Sequence, residues 1–115
     1  MDVTYISFYL RAGRIHVFVD ALRAIGSPDR ICFMIDDDGK HLMIIPYNKR
    51  DFKSHKVPKK VYEGQSSLEI SSMKFCKLIS GMKNWDNSHS YRIPGEIKKK
   101  INAAVFNLEE AVAIQ

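Results

Sequence analysis

Asp36-Asp37-Asp38-Gly39 is the densest group of metal-capable side chains in the sequence. A calcium loop of the EF-hand kind needs acids at alternate positions and a glutamate at the twelfth, and counting from Asp36 the twelfth residue is Tyr47. An Asp-Gly step between two apolar runs is what a tight hairpin needs, so turn chemistry accounts for it and no metal site is expected. The histidines, His16, His41, His55 and His89, are dispersed, and no Cys or His pair has zinc-ligand spacing. His16 and His41 are expected to face each other across neighbouring strands in a structural role. Gly13, Gly26 and Gly39 are isolated, so no phosphate-cradling loop exists, and no Gly-x-Ser-x-Gly elbow is present. Cys32 and Cys76 sit inside apolar patterns, as buried thiols and not as a disulfide framework. These residues give no catalytic group and no cofactor, and the sequence does not read as an enzyme.

The basic residues carry a stronger signal. Residues 48–60, NKRDFKSHKVPKK, hold six cations (Lys49, Arg50, Lys53, Lys56, Lys59 and Lys60) against Asp51. Elsewhere twelve basic residues balance twelve acids, so this one segment holds the net charge of +5. Lys98-Lys99-Lys100 is a second knot, while Arg11 and Arg14 flank a turn and Arg23 lies on a short helix. A concentrated positive field attracts phosphate backbones and speeds encounter with polyanions. Guanidinium groups can also grip guanine edges in two places, which makes Arg11 and Arg14 the candidates for base reading. Tyr47 and Phe52 interleave with the cations and are placed to stack on bases.

Composition narrows the setting. A chain of 115 residues that is 45% hydrophobic suits one compact domain and is too apolar for intrinsic disorder. The longest apolar run, 31–35, is far short of a membrane span, and Met1-Asp2 does not open like a signal peptide. The expectation is a cytoplasmic protein with no membrane contact.

The elements that must position the cations follow from pattern. Residues 4–10 (TYISFYL) and 15–19 (IHVFV) read as strands joined by a turn at Gly13. Asp20 fits the N-cap of a short helix at 21–25, closed by Gly26 and Pro28. The run 31–35 (ICFMI) reads as a strand buried on both faces, with 42–45 (LMII) as its hairpin partner. The basic segment is expected to be a loop entering a strand at 57–62, followed by a short strand at 68–70. Ser71 or Ser72 caps a helix from Met73 to Lys83, on which Phe75, Cys76, Ile79 and Met82 share an apolar face. Strands at 91–93 and 103–108 follow, separated by an excursion opened by Pro94-Gly95, and 109–115 reads as a terminal turn or helix.

The order strand, strand, helix, strand, strand thus occurs twice, and an offset of 51 residues sets Val19 on Ile70 and Leu22 on Met73. The predicted fold is α+β, with two β-rich ββαββ-like halves, one short helix in each, and an internal pseudo-two-fold repeat. The first half is 1–47, the connector 48–60 and the second half 61–115, all in one compact unit. One such half has too little apolar surface to stand alone, so the two share a core or each pairs with another chain in a homodimer.

Residues 15–46, IHVFVDALRAIGSPDRICFMIDDDGKHLMIIP, resemble the swapped-hairpin module of AbrB-type transition-state regulators and antitoxins. Leu22-Arg23-Ala24-Ile25-Gly26 is similar to that module's helix end, and the tandem arrangement is similar to that of MraZ-type regulators. The chain departs from the module where Asp20 stands at the strand-to-helix junction in place of a proline, and where Pro28-Asp29-Arg30 replaces its Gly-Asp. The resemblance implies a β-barrel core and DNA contact through arginines at strand and loop ends. The function expected is a small DNA-binding regulatory protein. The alternative is a phage or mobile-element protein that inhibits another protein, using the tips at 37–39 and 95–100 as contact loops.

Overall fold

Period-two alternation governs most of the chain. In β1 (Val3–Tyr9), Thr4, Ile6 and Phe8 turn inward, while Val3 and Tyr5 face out. In β2 (Arg14–Phe18) the inward pair is Ile15 and Val17. The structure, a computed structural model, describes residues 3–114. The chain continues through α1 (Val19–Ala24), β3 (Arg30–Ile35), β4 (His41–Pro46), β5 (Ser54–Lys56), β6 (Ser67–Ser71), α2 (Met73–Lys83), β7 (Ser90–Lys98), β8 (Ala103–Asn107) and β9 (Val112–Ala113). Short 3-10 helices occupy Lys59–Glu63, Lys99–Ile101 and Leu108–Glu110.

All the pairings are antiparallel and join the strands into one sheet of order β5-β3-β4-β8-β7-β1-β2-β6, with β9 beside β7. The sheet curls into a nearly closed barrel. Phe75 of α2 shows how far it curls: its ring stacks on Phe33 of β3 at 5.1 Å and meets Phe8 of β1 at 6.2 Å, although three strands separate β3 from β1 in the sheet. The core is one cluster, filled by Ile6, Phe8, Leu42, Ile44, Ile93 and Phe106 from the sheet, Leu22 from α1 and Ile25 just after it, and Cys76 and Ile79 from α2.

This architecture corrects the predicted fold class. The chain is mostly antiparallel β, and it is not an α+β pair of ββαββ halves. Strand pairing crosses between the supposed halves at three places: β1 with β7, β2 with β6, and β4 with β8. No set of strands could therefore be lifted out as a half without breaking the sheet. The 51-residue offset also mismatches elements, since Val19 begins a helix while Ile70 lies inside a strand.

Local differences have local causes. Phe18, not Asp20, stands at the α1 N-cap, and the Asp20 carboxylate accepts a hydrogen bond from the Thr4 hydroxyl at 2.9 Å. Ser72 does cap α2, accepting from the Phe75 N–H at 3.2 Å. Residues 57–62 are not a strand; Pro58 leads into a 3-10 turn, and the strand lies earlier, at Ser54–Lys56. Met34 is 49% exposed, so β3 is not covered on both faces. Pro94-Gly95 opens no excursion and lies inside β7. β8 pairs with residues 95–98 and β9 with 91–92, so the missing Pro94 N–H falls in the gap between those two partners.

Gly95 is the most crowded of the glycines. A Cβ there would lie 2.5 Å from Phe106 Cδ1 and 2.6 Å from the Val105 carbonyl oxygen. Gly95→Ala is expected to cost about 2–3 kcal/mol by overpacking. By contrast the Ser7 hydroxyl is buried without a hydrogen-bond partner, so Ser7→Ala is expected to raise stability by about 1 kcal/mol. Urea unfolding of both variants checks this pair of opposite signs.

Candidate nucleic-acid interface

In an antiparallel sheet, strand starts and strand ends alternate, so each end of the barrel collects residues far apart in sequence. The pairings Arg30–Lys56, Ile31–Pro46 and Lys98–Ala103 place these residues at one end. Two side-chain bonds tie further elements there. Arg23 Nη2 donates to the Tyr62 carbonyl at 2.8 Å, and Asn102 Nδ2 donates to the Ile25 carbonyl at 3.2 Å. The basic connector apart from Lys53, the 3-10 turn carrying Lys59 and Lys60, the C-terminus of α1 and the Lys98-Lys99-Lys100 knot therefore share one end.

A cleft of about 500 Å³ opens there, lined by Arg30, Arg50, Lys56 and Lys59 with Asp29, Asn48, Val57 and Pro58. Its shape comes from backbone hydrogen bonds: Tyr47 N–H donates to the Arg30 carbonyl at 2.9 Å, and Val57 N–H to the Asp29 carbonyl at 2.7 Å. Arg30 is half-buried and held in place, donating from Nε and Nη2 to Ser54 Oγ at 3.0 and 2.7 Å. Arg50, Lys56 and Lys59 are exposed, and none of the ion pairs among the described residues uses them. Lys49 sits in the same exposed loop, and Lys98 is engaged by Glu96. Next to the cleft, His55 packs its ring 5.1 Å from Phe33. Burial first, and then the charge of Arg30, hold its pKa below the ordinary histidine range.

The other expected site residues lie elsewhere. Arg11 and Arg14 are at the opposite end, around the turn between β1 and β2, where Ser72 N–H bonds the Gly13 carbonyl. Arg14 is 3.6 Å from Glu69. That end also carries the acidic tip at Asp36-Asp37-Asp38 and the acids Glu109 and Glu110. Lys53 faces neither end and lines a cleft between β5 and α2. Phe52 is 91% exposed, whereas the Tyr47 hydroxyl donates to Asp51 at 2.8 Å.

His16 and His41 do not face each other, because β2 and β4 are not neighbours; His16 contacts Glu69 and His41 contacts Asp36. Ligating atoms of Asp36, Asp38 and His41 lie within 4.8 Å of one another. Asp36 already accepts from the His41 and Lys40 N–H groups, each at 2.9 Å, and these bonds, led by that of His41, hold its carboxyl down at about 2. Hairpin closure thus employs the cluster. Cys32 and Cys76 are buried and free, and burial pushes the Cys76 thiol up to about 11.

Arg30 escaped the sequence reading, since a lone arginine opening an apolar strand stands outside both basic runs. Comparison with protein families, curated proteins and solved structures finds no match to this chain. The likeness to AbrB-type regulators accordingly rests on residues 15–46 alone. No helix among the described residues is long and apolar enough to cross a membrane.

The site also carries a pH signature. A neutral His55 is favoured in the fold, so its contribution is fully present above the ordinary value of 6.5 and is lost as pH falls below it. The native protein is expected to lose stability between pH 7 and pH 5 more steeply than His55→Gln, as measured by urea midpoints at both pH values.

Proposed function

We propose that this chain is a DNA-binding protein that grips the phosphate backbone with the basic end of its barrel. The supporting observation is the cleft of Arg30, Arg50, Lys56 and Lys59, flanked by Arg23, Lys60 and Lys98-Lys99-Lys100. Long, exposed side chains on turns and strand ends reach phosphates without a rigid fit. Their neutralisation of the backbone releases counterions, which supplies affinity without sequence readout. Arg30 differs from the rest: its bonds to Ser54 fix the guanidinium plane, so it acts as the positioning contact within a flexible ring of charge. Arg11 and Arg14 take no part in this grip, because they lie at the far end of the barrel. A regulatory role follows from occupying DNA and needs no chemical step.

Binding of a fluorescently labelled duplex, followed by anisotropy over a salt series, tests the reading. If six phosphates are neutralised, log affinity falls with log salt at a slope of about −5. Reversing Arg50, Lys56 and Lys59 together to Glu is expected to weaken binding at least tenfold and to flatten the slope by about three. Arg11→Ala with Arg14→Ala is expected to leave affinity within about twofold, since distant sites act independently. A salt-independent affinity, or equal losses from the two sets of substitutions, would overturn the assignment.

A further inference from the structure

β5 and β6 are consecutive strands that do not pair with each other. Among the described residues β5 pairs only with β3 and β6 only with β2, so the barrel is left with an open seam. A cleft of about 760 Å³ lies along it between β5 and α2. Ile15, Phe33, Phe75 and Leu78 form its apolar floor, and Phe52 stands at its edge. Two of these side chains are more exposed than packing residues should be: Phe52 is 91% and Leu78 52% exposed. The rim is basic, with Lys53, Lys74 and Lys77, and no acidic side chain lines the cleft. Asp51, near Lys53, has its carboxylate engaged by the Tyr47 hydroxyl and the Lys53 N–H.

We infer that this seam receives an extended acidic segment of a partner protein, which adds as a strand beside β5. The Ser54 N–H is taken by the Asp51 carbonyl at 3.1 Å, which leaves the main-chain groups of Lys56 on the edge of β5 for such a segment, and strand addition at a sheet edge is a general mode of peptide capture. A strand turns alternate side chains to opposite sides. One set of the segment's side chains, aliphatic or aromatic, rests on Phe33, Phe75 and Leu78, and the other set, carboxylates, meets Lys53, Lys74 and Lys77. A peptide fits better than a nucleic-acid strand because Phe33 and Phe75 are already stacked on each other, at 5.1 Å and 18°, which leaves edges and aliphatic surface in place of open ring faces. The seam and the basic end meet at β5, but the two clefts share no lining residue, so this inference stands whether or not the DNA reading does.

The test uses the full chain and a labelled eight-residue peptide that alternates glutamate with phenylalanine and leucine. Binding is expected at micromolar concentration, with amide NMR shifts concentrated at residues 52–56 and 74–78. Phe52→Ala, and Lys74→Glu with Lys77→Glu, replace exposed side chains; each is expected to weaken binding at least tenfold with the melting temperature unchanged. Arg50→Glu is expected to leave peptide binding intact. The inference is overturned if no binding occurs below millimolar peptide, if the lysine counterpart of the peptide binds equally well, or if a single-stranded oligonucleotide shifts the same amides while the acidic peptide does not.

Discussion

Everything in this structure depends on β7 lying between β1 and β8. Seven of its nine residues pair with β1 from Val3 to Tyr9 on one side, and its other edge pairs with β9 and then β8. A strand from late in the chain thereby locks onto the first strand, and the sheet curls around a single core. The close approach at Gly95 makes this possible, because the Val105 carbonyl and the Phe106 ring occupy the space a side chain would need. The interruption between β8 and β9 is equally specific. It lets Pro94 sit inside a strand, and it lets Leu108 of the intervening 3-10 turn drop into the core.

From that interleaving comes the polarity of charge. Once strand ends are aligned, the loops between them can open only at one end of the barrel or the other. The connector after β4 and the turn after β7 open at the same end, although about fifty residues separate them in sequence. The Asp36-Asp37-Asp38 tip and the turn holding Glu109 and Glu110 fall at the opposite end, where Lys83 binds both the Gly39 carbonyl and Glu109. A molecule charged in this way orients itself in the field of a polyanion before contact.

Much of the local structure was legible. The strands β1 to β4 follow from apolar alternation and β-branched residues, α2 from its apolar spacing and Ser72, and the β3–β4 tip from Asp38-Gly39. What was not legible is what depends on distant partners. β5 is Ser54-His55-Lys56, which has no strand signature; it exists because Cys32 and Arg30 lie opposite and Arg30 holds Ser54. β7 runs through Pro94-Gly95, a pair that normally marks a turn, because two partner strands stop on either side of it. Pairing of β1 with β7 is a long-range choice that no local window contains. The same limit divided the expected site. The connector and the Lys98-Lys99-Lys100 knot came together except for Lys53, which faces the cleft beside α2, Arg11 and Arg14 went to the other end, and Arg30 joined from outside the basic runs.

The most direct measurement is an NMR titration of the full chain with a short mixed-sequence DNA duplex. Amide shifts are expected at residues 23–31, 48–51, 56–62 and 98–102, with the hairpins at 10–14 and 36–40 unmoved. Shifts centred on those two hairpins, or scattered evenly over both ends of the barrel, would contradict it.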